Sequence, residues 1–277
     1  MRFSIITPSY RQSDWLKLCV ASVADQRVEV EHIVQDAGSD DGTADWLRRD
    51  PRVKAFVEKD AGMYDAINRG WRRAIGEVLA WLNCDEQYLP GALSLVERYF
   101  QDHPGVDMVF GNIVFVDTDG HYLCHRKVQT PLKYHTWTCH LSTLSCATFF
   151  RRKLIDSGKF FFNPDYRVGG DGEWMVRLLQ EQVPMAALKQ FTSVFTLTGA
   201  NLGRHDARSY EEWLRLRNSA PRWARWSKPL IILHHRLRRL LGGVYAQGPF
   251  DFAIYTHASP RQRVVQHVTR PTYRCQP

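Results

Sequence analysis

Asp85 stands at the end of an unbroken apolar run, Val78 to Leu82, in the cluster Asn83-Cys84-Asp85-Glu86. An apolar run that short, with helical patterns on both sides, reads as a strand buried on both faces of a parallel sheet. Ligands gather at the carboxyl ends of such strands, so a carboxylate there is either an acidic turn facing water or a ligand for a metal ion. Three other polar loops follow apolar runs: Thr7-Pro8-Ser9-Tyr10, Asp36 to Thr43, and Glu58 to Gly70. Asp36 can accept a hydrogen bond from a nucleobase imide N–H, and Tyr10 can stack on the base. Gly38 and Gly62 let backbone approach a ribose closely. Each has a plainer reading, since Asp36 with Gly38 and Ser39 also makes a good turn and Asn68 can bridge backbone.

The elements that must hold these loops alternate regularly. Arg2–Thr7, Val30–Gln35, Val53–Val57 and Val78–Leu82 read as strands. Asp14–Ala24, Gly42–Arg49, Met63–Ile75 and Pro90–Phe100 read as helices. Alternation at this spacing predicts an α/β fold with a mostly parallel sheet flanked by helices. Beyond Val106 the texture changes to a mixed β region, with a hairpin turning at Asp117-Thr118-Asp119-Gly120. Asp171–Gln182 reads as a helix and Phe191–Leu197 as a late strand.

The composition separates two regions. Of 277 residues, 44% are hydrophobic and 12% aromatic, which suits a packed globular chain. Residues 1–203 carry 23 Lys and Arg against 25 Asp and Glu, and residues 204–277 carry 14 against 4. The whole basic excess thus falls in a C-terminal extension with helical spacing, which points to an anionic partner. No apolar run approaches the ~20 residues of a membrane-spanning helix. Six Cys at 19, 84, 124, 139, 146 and 275 include no C-x-x-C pair. With no signal peptide in MRFSIITPSY, the expectation is a cytoplasmic chain with free thiols. His234-His235 and Cys139-His140 lack metal-site spacing and receive no role.

In order and spacing, ITPSY, QDAGSDDGT, EKDAGMYDAINRG and GEVLAWLNCDEQ resemble the bacterial family 2 glycosyltransferases of the GT-A fold, over roughly residues 1–200. The resemblance implies an inverting enzyme that uses a nucleotide-sugar donor, UDP-linked first and GDP- or dTDP-linked next, with magnesium or manganese. It places Thr7, Pro8 and Tyr10 at the base pocket and Asp36 as the base-reading carboxylate. Gly38 accompanies Asp36, and Asp60, Gly62 and Asn68 belong to the donor-cradling segment. Asp85 falls in the metal motif, which here has Asn83 at a first Asp position and Glu86 where a second Asp is common. Asp171, in VGGDGEW, falls on the general base ahead of a helix, with Glu173 as the alternative carboxylate. Asp is also a favoured helix N-cap, and both roles are compatible.

The implied partners are a glycan or lipid-linked acceptor and, for the basic extension, the anionic inner face of the cytoplasmic membrane. There Arg236, Arg238 and Arg239 would meet lipid while neighbouring Leu and Trp enter the headgroup region. Packing of that helix on protein, including a second subunit of an oligomer, is the competing reading. A nucleotidyltransferase would want a basic glycine-rich loop that TPSYRQSDW lacks. A nucleic-acid-binding role explains the tail but leaves Asp36, Asp85 and Asp171 unused, so no nucleic acid is expected.

Overall fold

The structure, a computed structural model, describes residues 1–199, 201 and 207–275. Its first part runs β1 (Phe3–Ser9), α1 (Ser13–Ala24), β2 (Val30–Asp36), α2 (Thr43–Leu47), β3 (Lys54–Val57), α3 (Met63–Arg73) and β4 (Val78–Trp81). β1 pairs in parallel with β2 and β4, and β2 with β3. The chain therefore steps outward to β3 and returns on the other side of β1. That reversal opens a crevice beyond the carboxyl ends of β1 and β4, where two neighbouring loops diverge. A bond across the crevice floor, from the Cys84 thiol to Pro8 O at 3.2 Å, joins the two loops.

The second part comprises β5 (Glu86–Tyr88), α4 (Ala92–Asp102), β6 (Met108–Val116), β7 (Tyr122–Arg126), α5 (Lys133–Thr138), β8 (Thr148–Arg151), α6 (Lys153–Asp156), α7 (Gly170–Gln180) and β9 (Met185–Thr196). The sheet continues from β4 through β8, β6 and β9 to β5. β8 runs antiparallel to β4 and β6, while β9 runs parallel to β6. The hairpin β6–β7 forms where the turn cluster predicts it. β5 is unforeseen: the residues after Asp85 pair antiparallel with β9, so Glu86 is a buried strand residue and not part of a loop. Between the sheet and α7 lies an aromatic core. Trp71 of α3 stacks on Phe162 with ring centroids 4.9 Å apart, and Trp81 meets Trp174 of α7 edge-on at 5.5 Å. This packing fixes the start of α7 relative to β4.

The basic extension forms α8 (Ala207–Asn218), α9 (Arg222–Trp226) and α10 (Lys228–Leu241), as its helical spacing predicts. It then ends in an antiparallel ribbon, β10 (Phe250–Thr256) and β11 (Ser259–Val268), which the helical reading did not include. Phe252, Ile254 and Val268 of the ribbon cover Val114, Val116 and Val194 of the main sheet. The expectation of six free thiols is corrected, because Cys124 on β7 is disulfide-bonded to Cys275, 151 residues later. The end of the chain returns along β7, where His125 N–H donates to Thr272 O at 2.9 Å, and no local spacing could announce that pairing. The other four cysteines are free and buried. Among the described residues no helix is long and apolar enough to cross a membrane.

Candidate active site

The crevice is built from the four loops the sequence marks. Asp36 ends β2 fully buried, and its carboxylate closes its own turn. Gly38 N–H and Ser39 N–H donate to Oδ2 at 3.1 and 2.8 Å, and the Ser39 hydroxyl donates to Oδ1 at 2.6 Å. A carboxylate offers about four acceptor directions, so one remains for an imide N–H. Gly38 takes φ +87°. Tyr10 is 53% exposed, with its ring face crossed by the Arg11 guanidinium at 5.1 Å. Arg11 in turn donates to Ser39 Oγ through its backbone and to both oxygens of Asp40 through its side chain, so the β1 and β2 loops are clasped.

Two of the expected donor residues do other work. Thr7 is fully buried, and its hydroxyl is engaged with His32 Nε2 at 2.9 Å, so it shapes the strand end and presents no side chain to the crevice. Asn68 is buried and bridges backbone reciprocally: Nδ2 donates to Phe162 O and Oδ1 accepts from Phe162 N–H, both at 2.9 Å. The plainer reading of Asn68 is therefore the observed one, because an amide that serves one peptide unit twice has little left for a ligand. Pro8 lies at the crevice floor through its carbonyl. Asp60 accepts from Gly62 N–H at 2.9 Å, and burial raises its carboxyl above the usual range. Gly62 sits at φ +120°, a conformation that side chains resist, and a Cβ there would lie 2.9 Å from Arg167 Nη1.

At the end of β4, Asp85 Oδ2 accepts from Asn201 Nδ2 at 2.8 Å, and burial pushes its carboxyl upward. Its neighbour Glu86 points the other way, accepting from Asn83 N–H at 2.8 Å and Ser145 Oγ at 3.1 Å. Burial beside the negative Asp85 pushes Glu86 upward as well. The donor set suits a hard cation. Among the described residues Asn201 bonds only Asp85 Oδ2, and Asn83 Oδ1 is buried with no hydrogen bond. One carboxylate and one amide oxygen leave room for phosphate oxygens and water, the chemistry magnesium and manganese favour.

Asp171 lies in the first turn of α7, one residue inside Gly170, and Gly169 is the cap. The N-cap reading is thus replaced. Gly172 N–H donates to Asp171 Oδ1 at 2.8 Å, the Tyr64 hydroxyl reaches the same oxygen at 3.4 Å, and Oδ2 has no partner among the described residues. Burial outweighs those bonds and raises its carboxyl to about 6, within reach of a base that works near neutral pH. Glu173 pairs with Arg177 at 2.8 Å one turn on, which leaves Asp171 as the unpaired carboxylate. The glycines around it permit close contacts: a Cβ on Gly170 would lie 2.6 Å from the Tyr64 ring, and one on Gly172 would lie 2.6 Å from Trp213.

Two positioning residues escaped the sequence reading. Tyr64, in the donor-cradling segment, donates its hydroxyl to Val168 O at 2.7 Å and accepts from Asp171 N–H at 3.2 Å, tying α3 to the Asp171 loop. Glu212 of α8 accepts from the N–H groups of Arg167, Val168 and Gly169 at 2.7, 2.9 and 2.8 Å. A signal for Glu212 existed, because it falls with Ser209 and Leu216 on the buried stripe of its helix, where an acid needs partners.

Comparison with known proteins shows the family and the fold. Residues 4–158 match the family described as Glycosyl transferase family 2. A PGL/p-HBAD biosynthesis glycosyltransferase of Mycobacterium tuberculosis is 30% identical over 183 residues, covering 63% of this chain and 68% of its own. Among solved structures, S. aureus TarS 1-349 in complex with UDP-GlcNAc superposes with a TM-score of 0.62 at 17% identity, over 78% of this chain and 64% of that one. Mannosyltransferase PcManGT from Pyrobaculum calidifontis, in complex with GDP-Man and Mn2+, gives 0.52 at 18% identity, over 78% and 60%. The chain spans less than two thirds of either solved chain, and at these identities the likeness shows the shared fold, the GT-A fold.

Proposed function

Because the chain belongs to glycosyl transferase family 2, we propose that it is an inverting glycosyltransferase that moves a sugar from a nucleotide donor to a hydroxyl of a glycan or lipid-linked acceptor in bacterial surface polysaccharide synthesis. The observation that carries this reading is the Tyr64 bridge, which holds the Asp171 loop against the donor-cradling segment. Tyr10 and Asp36 receive the base, and the Asp60 to Gly62 turn receives the ribose and sugar. A divalent metal, magnesium or manganese, would be held by Asp85 with Asn83 Oδ1, and when bound it supplies positive charge opposite the diphosphate leaving group. Asp171 Oδ2 takes the acceptor hydroxyl proton as that oxygen bonds to the anomeric carbon. The bond to the nucleoside diphosphate breaks on the opposite face, and the configuration inverts.

UDP-sugars are the first donors to try, with GDP- and dTDP-sugars next; solved relatives bind UDP-GlcNAc and GDP-Man. In a thermal-shift panel of these donors with manganese, one at 100 times its dissociation constant stabilises the chain by ~2.7 kcal/mol. No response to any nucleotide or nucleotide-sugar would sink the reading. Retained anomeric configuration in the product, read by proton NMR, would sink the mechanism.

In the same reading, residues 1–203 carry the chemistry and 204–277 bring it to the inner face of the cytoplasmic membrane. α10 turns Leu230, Leu233, Leu237, Leu240 and Leu241 outward as one exposed stripe, continued by Trp226, which is 82% exposed. The positive charge beside this stripe differs from the sequence expectation. Arg238 turns inward and donates to Thr130 O and Oγ1, and Arg239 lies over the Tyr245 ring. Exposed Arg222, Arg225 and Arg236 remain for lipid headgroups. Flotation with vesicles containing anionic lipid, against zwitterionic ones, tests this; absence from both floated fractions at low salt contradicts it.

A further inference from the structure

Three histidines far apart in the chain meet where α10 crosses α5. His135 lies on α5, His140 just beyond it, and His235 on α10. The His235 ring stacks on His135 with centroids 3.7 Å apart and 16° between planes, and His140 stands edge-on at 4.6 and 6.1 Å. Around them are three guanidinium groups. Arg126, Arg217 and Arg239 all act on His140 with like charge, and Arg239 also acts on His135 and His235. These arginines lie against the rings of Phe115, Trp213 and Tyr245, and no carboxylate pairs with any of them among the described residues. The cluster also concentrates unmet hydrogen-bonding capacity. Among the described residues His135 Nδ1, both ring nitrogens of His235, Arg217 Nε and Arg239 Nε are buried without a partner, and buried polar atoms in that condition call for an explanation.

The ligand that fits is an anion. Three cations repel a divalent metal ion, although the imidazole nitrogens lie within 4.8 Å of one another. The parallel His135 and His235 rings also aim their in-plane lone pairs side by side, not at one point. Guanidinium groups beside histidines instead offer several donors to a group with several acceptor oxygens, the match made by phosphate. The place is close to the chemistry. Five residues past His140, Ser145 donates its hydroxyl to Glu86 Oε1, and five residues of chain span at most ~18 Å. We propose that Arg126, Arg217, Arg239 and His140 form a second anion site that binds a phosphate or diphosphate group beside the reaction centre. Only the ligand's identity rests on the glycosyltransferase reading, under which it is the phosphate of the acceptor.

The experiment is calorimetric titration of inorganic pyrophosphate into the full chain, in chelator and with UDP in excess so that the donor pocket is filled. One binding event is expected. It weakens about tenfold or more in the double variant Arg126→Gln, Arg239→Gln, because two charge-assisted partners are lost. It weakens also in His140→Gln, whose exposed position leaves folding intact. Leu237→Glu, outside both sites, should leave pyrophosphate binding unchanged. Repeating the variants with phosphatidic acid vesicles separates the sources of phosphate: parallel loss of flotation assigns the site to a lipid headgroup, and retained flotation assigns it to a non-membrane phosphate. No pyrophosphate binding, equal affinity in the folded variants, or stabilisation by zinc ions in place of pyrophosphate would overturn the proposal. Wild-type chain that binds pyrophosphate in chelator but binds no UDP in manganese would leave this site standing and remove the glycosyltransferase reading.

Discussion

The loops proposed to hold the donor and the loop of Asp171 are held in place by different means. On the proposed donor side, three carboxylates are satisfied within a few residues: Asp36 by Gly38 and Ser39, Asp41 by Thr43, and Asp60 by Gly62; Asp40, held by Arg11, and Asp85, held by Asn201, are the exceptions. On the acceptor side the partners are distant. Glu212 reaches back more than forty residues to three backbone N–H groups, Tyr64 reaches forward more than a hundred, and Trp213 fills the space above Gly172. A turn that closes on its own carboxylate is nearly autonomous. The Asp171 loop owes its position to α3 on one side and the C-terminal extension on the other, so changes in the extension should reach catalysis while sparing donor binding.

The largest effect should come from Asp171→Asn, which keeps the shape but cannot take a proton. Turnover should fall by about 10²- to 10⁴-fold, with donor affinity held within about twofold. Because burial raises this carboxyl to about 6, its base form is lost as pH falls through that value. Turnover in the wild-type chain should therefore rise between pH 5 and 7 and level off above; a flat profile assigns the proton transfer elsewhere. Next comes Glu212→Ala, which strips the acceptor from three backbone donors. Loss of even one buried partner costs about 1–3 kcal/mol, so the melting temperature should drop and turnover should fall more than donor affinity, with Glu212→Gln recovering part of both. If donor affinity falls as far as turnover, the division between the two sides is wrong.

Asn68→Ala sharpens the comparison from the donor side. It leaves Phe162 N–H and O without partners and should cost about 1–3 kcal/mol in denaturant unfolding, yet leave donor affinity of the folded protein nearly unchanged. A selective loss of donor binding would restore Asn68 to the pocket. The smallest effect on stability belongs to Leu237→Glu, on the outer stripe of α10. It should change unfolding by less than about 0.5 kcal/mol while abolishing flotation with anionic vesicles.

What the sequence made legible follows the same division. The apolar runs of β1, β2 and β4, the breaks after them and the polar loops beyond are local, so the parallel half of the sheet and the loops that carry Asp36, Asp60 and Asp85 were in view. The partners of Thr7 and Asn68, His32 and Phe162, were out of view, because no spacing reveals a side chain's direction. β5 hid because a three-residue strand beside a turn has no period of its own, and β11 hid because it opens on the polar run Ser259-Pro260-Arg261-Gln262-Arg263 and then sets Val264 beside Val265, without the alternation that marks a strand. Glu212, the Cys124–Cys275 bond and the gathering of His135, His140 and His235 are long-range and appear only once the chain is folded.

The central claim is that Asp85 serves the donor and Asp171 the acceptor. The most direct test is calorimetric titration of the best donor nucleotide, in manganese, into wild-type chain, Asp85→Ala and Asp171→Asn. The account predicts at least about a tenfold loss of affinity in Asp85→Ala, the size of one lost charge-assisted contact, and nearly wild-type affinity in Asp171→Asn. Undiminished, manganese-dependent affinity in Asp85→Ala, or equal losses in both variants, would contradict it.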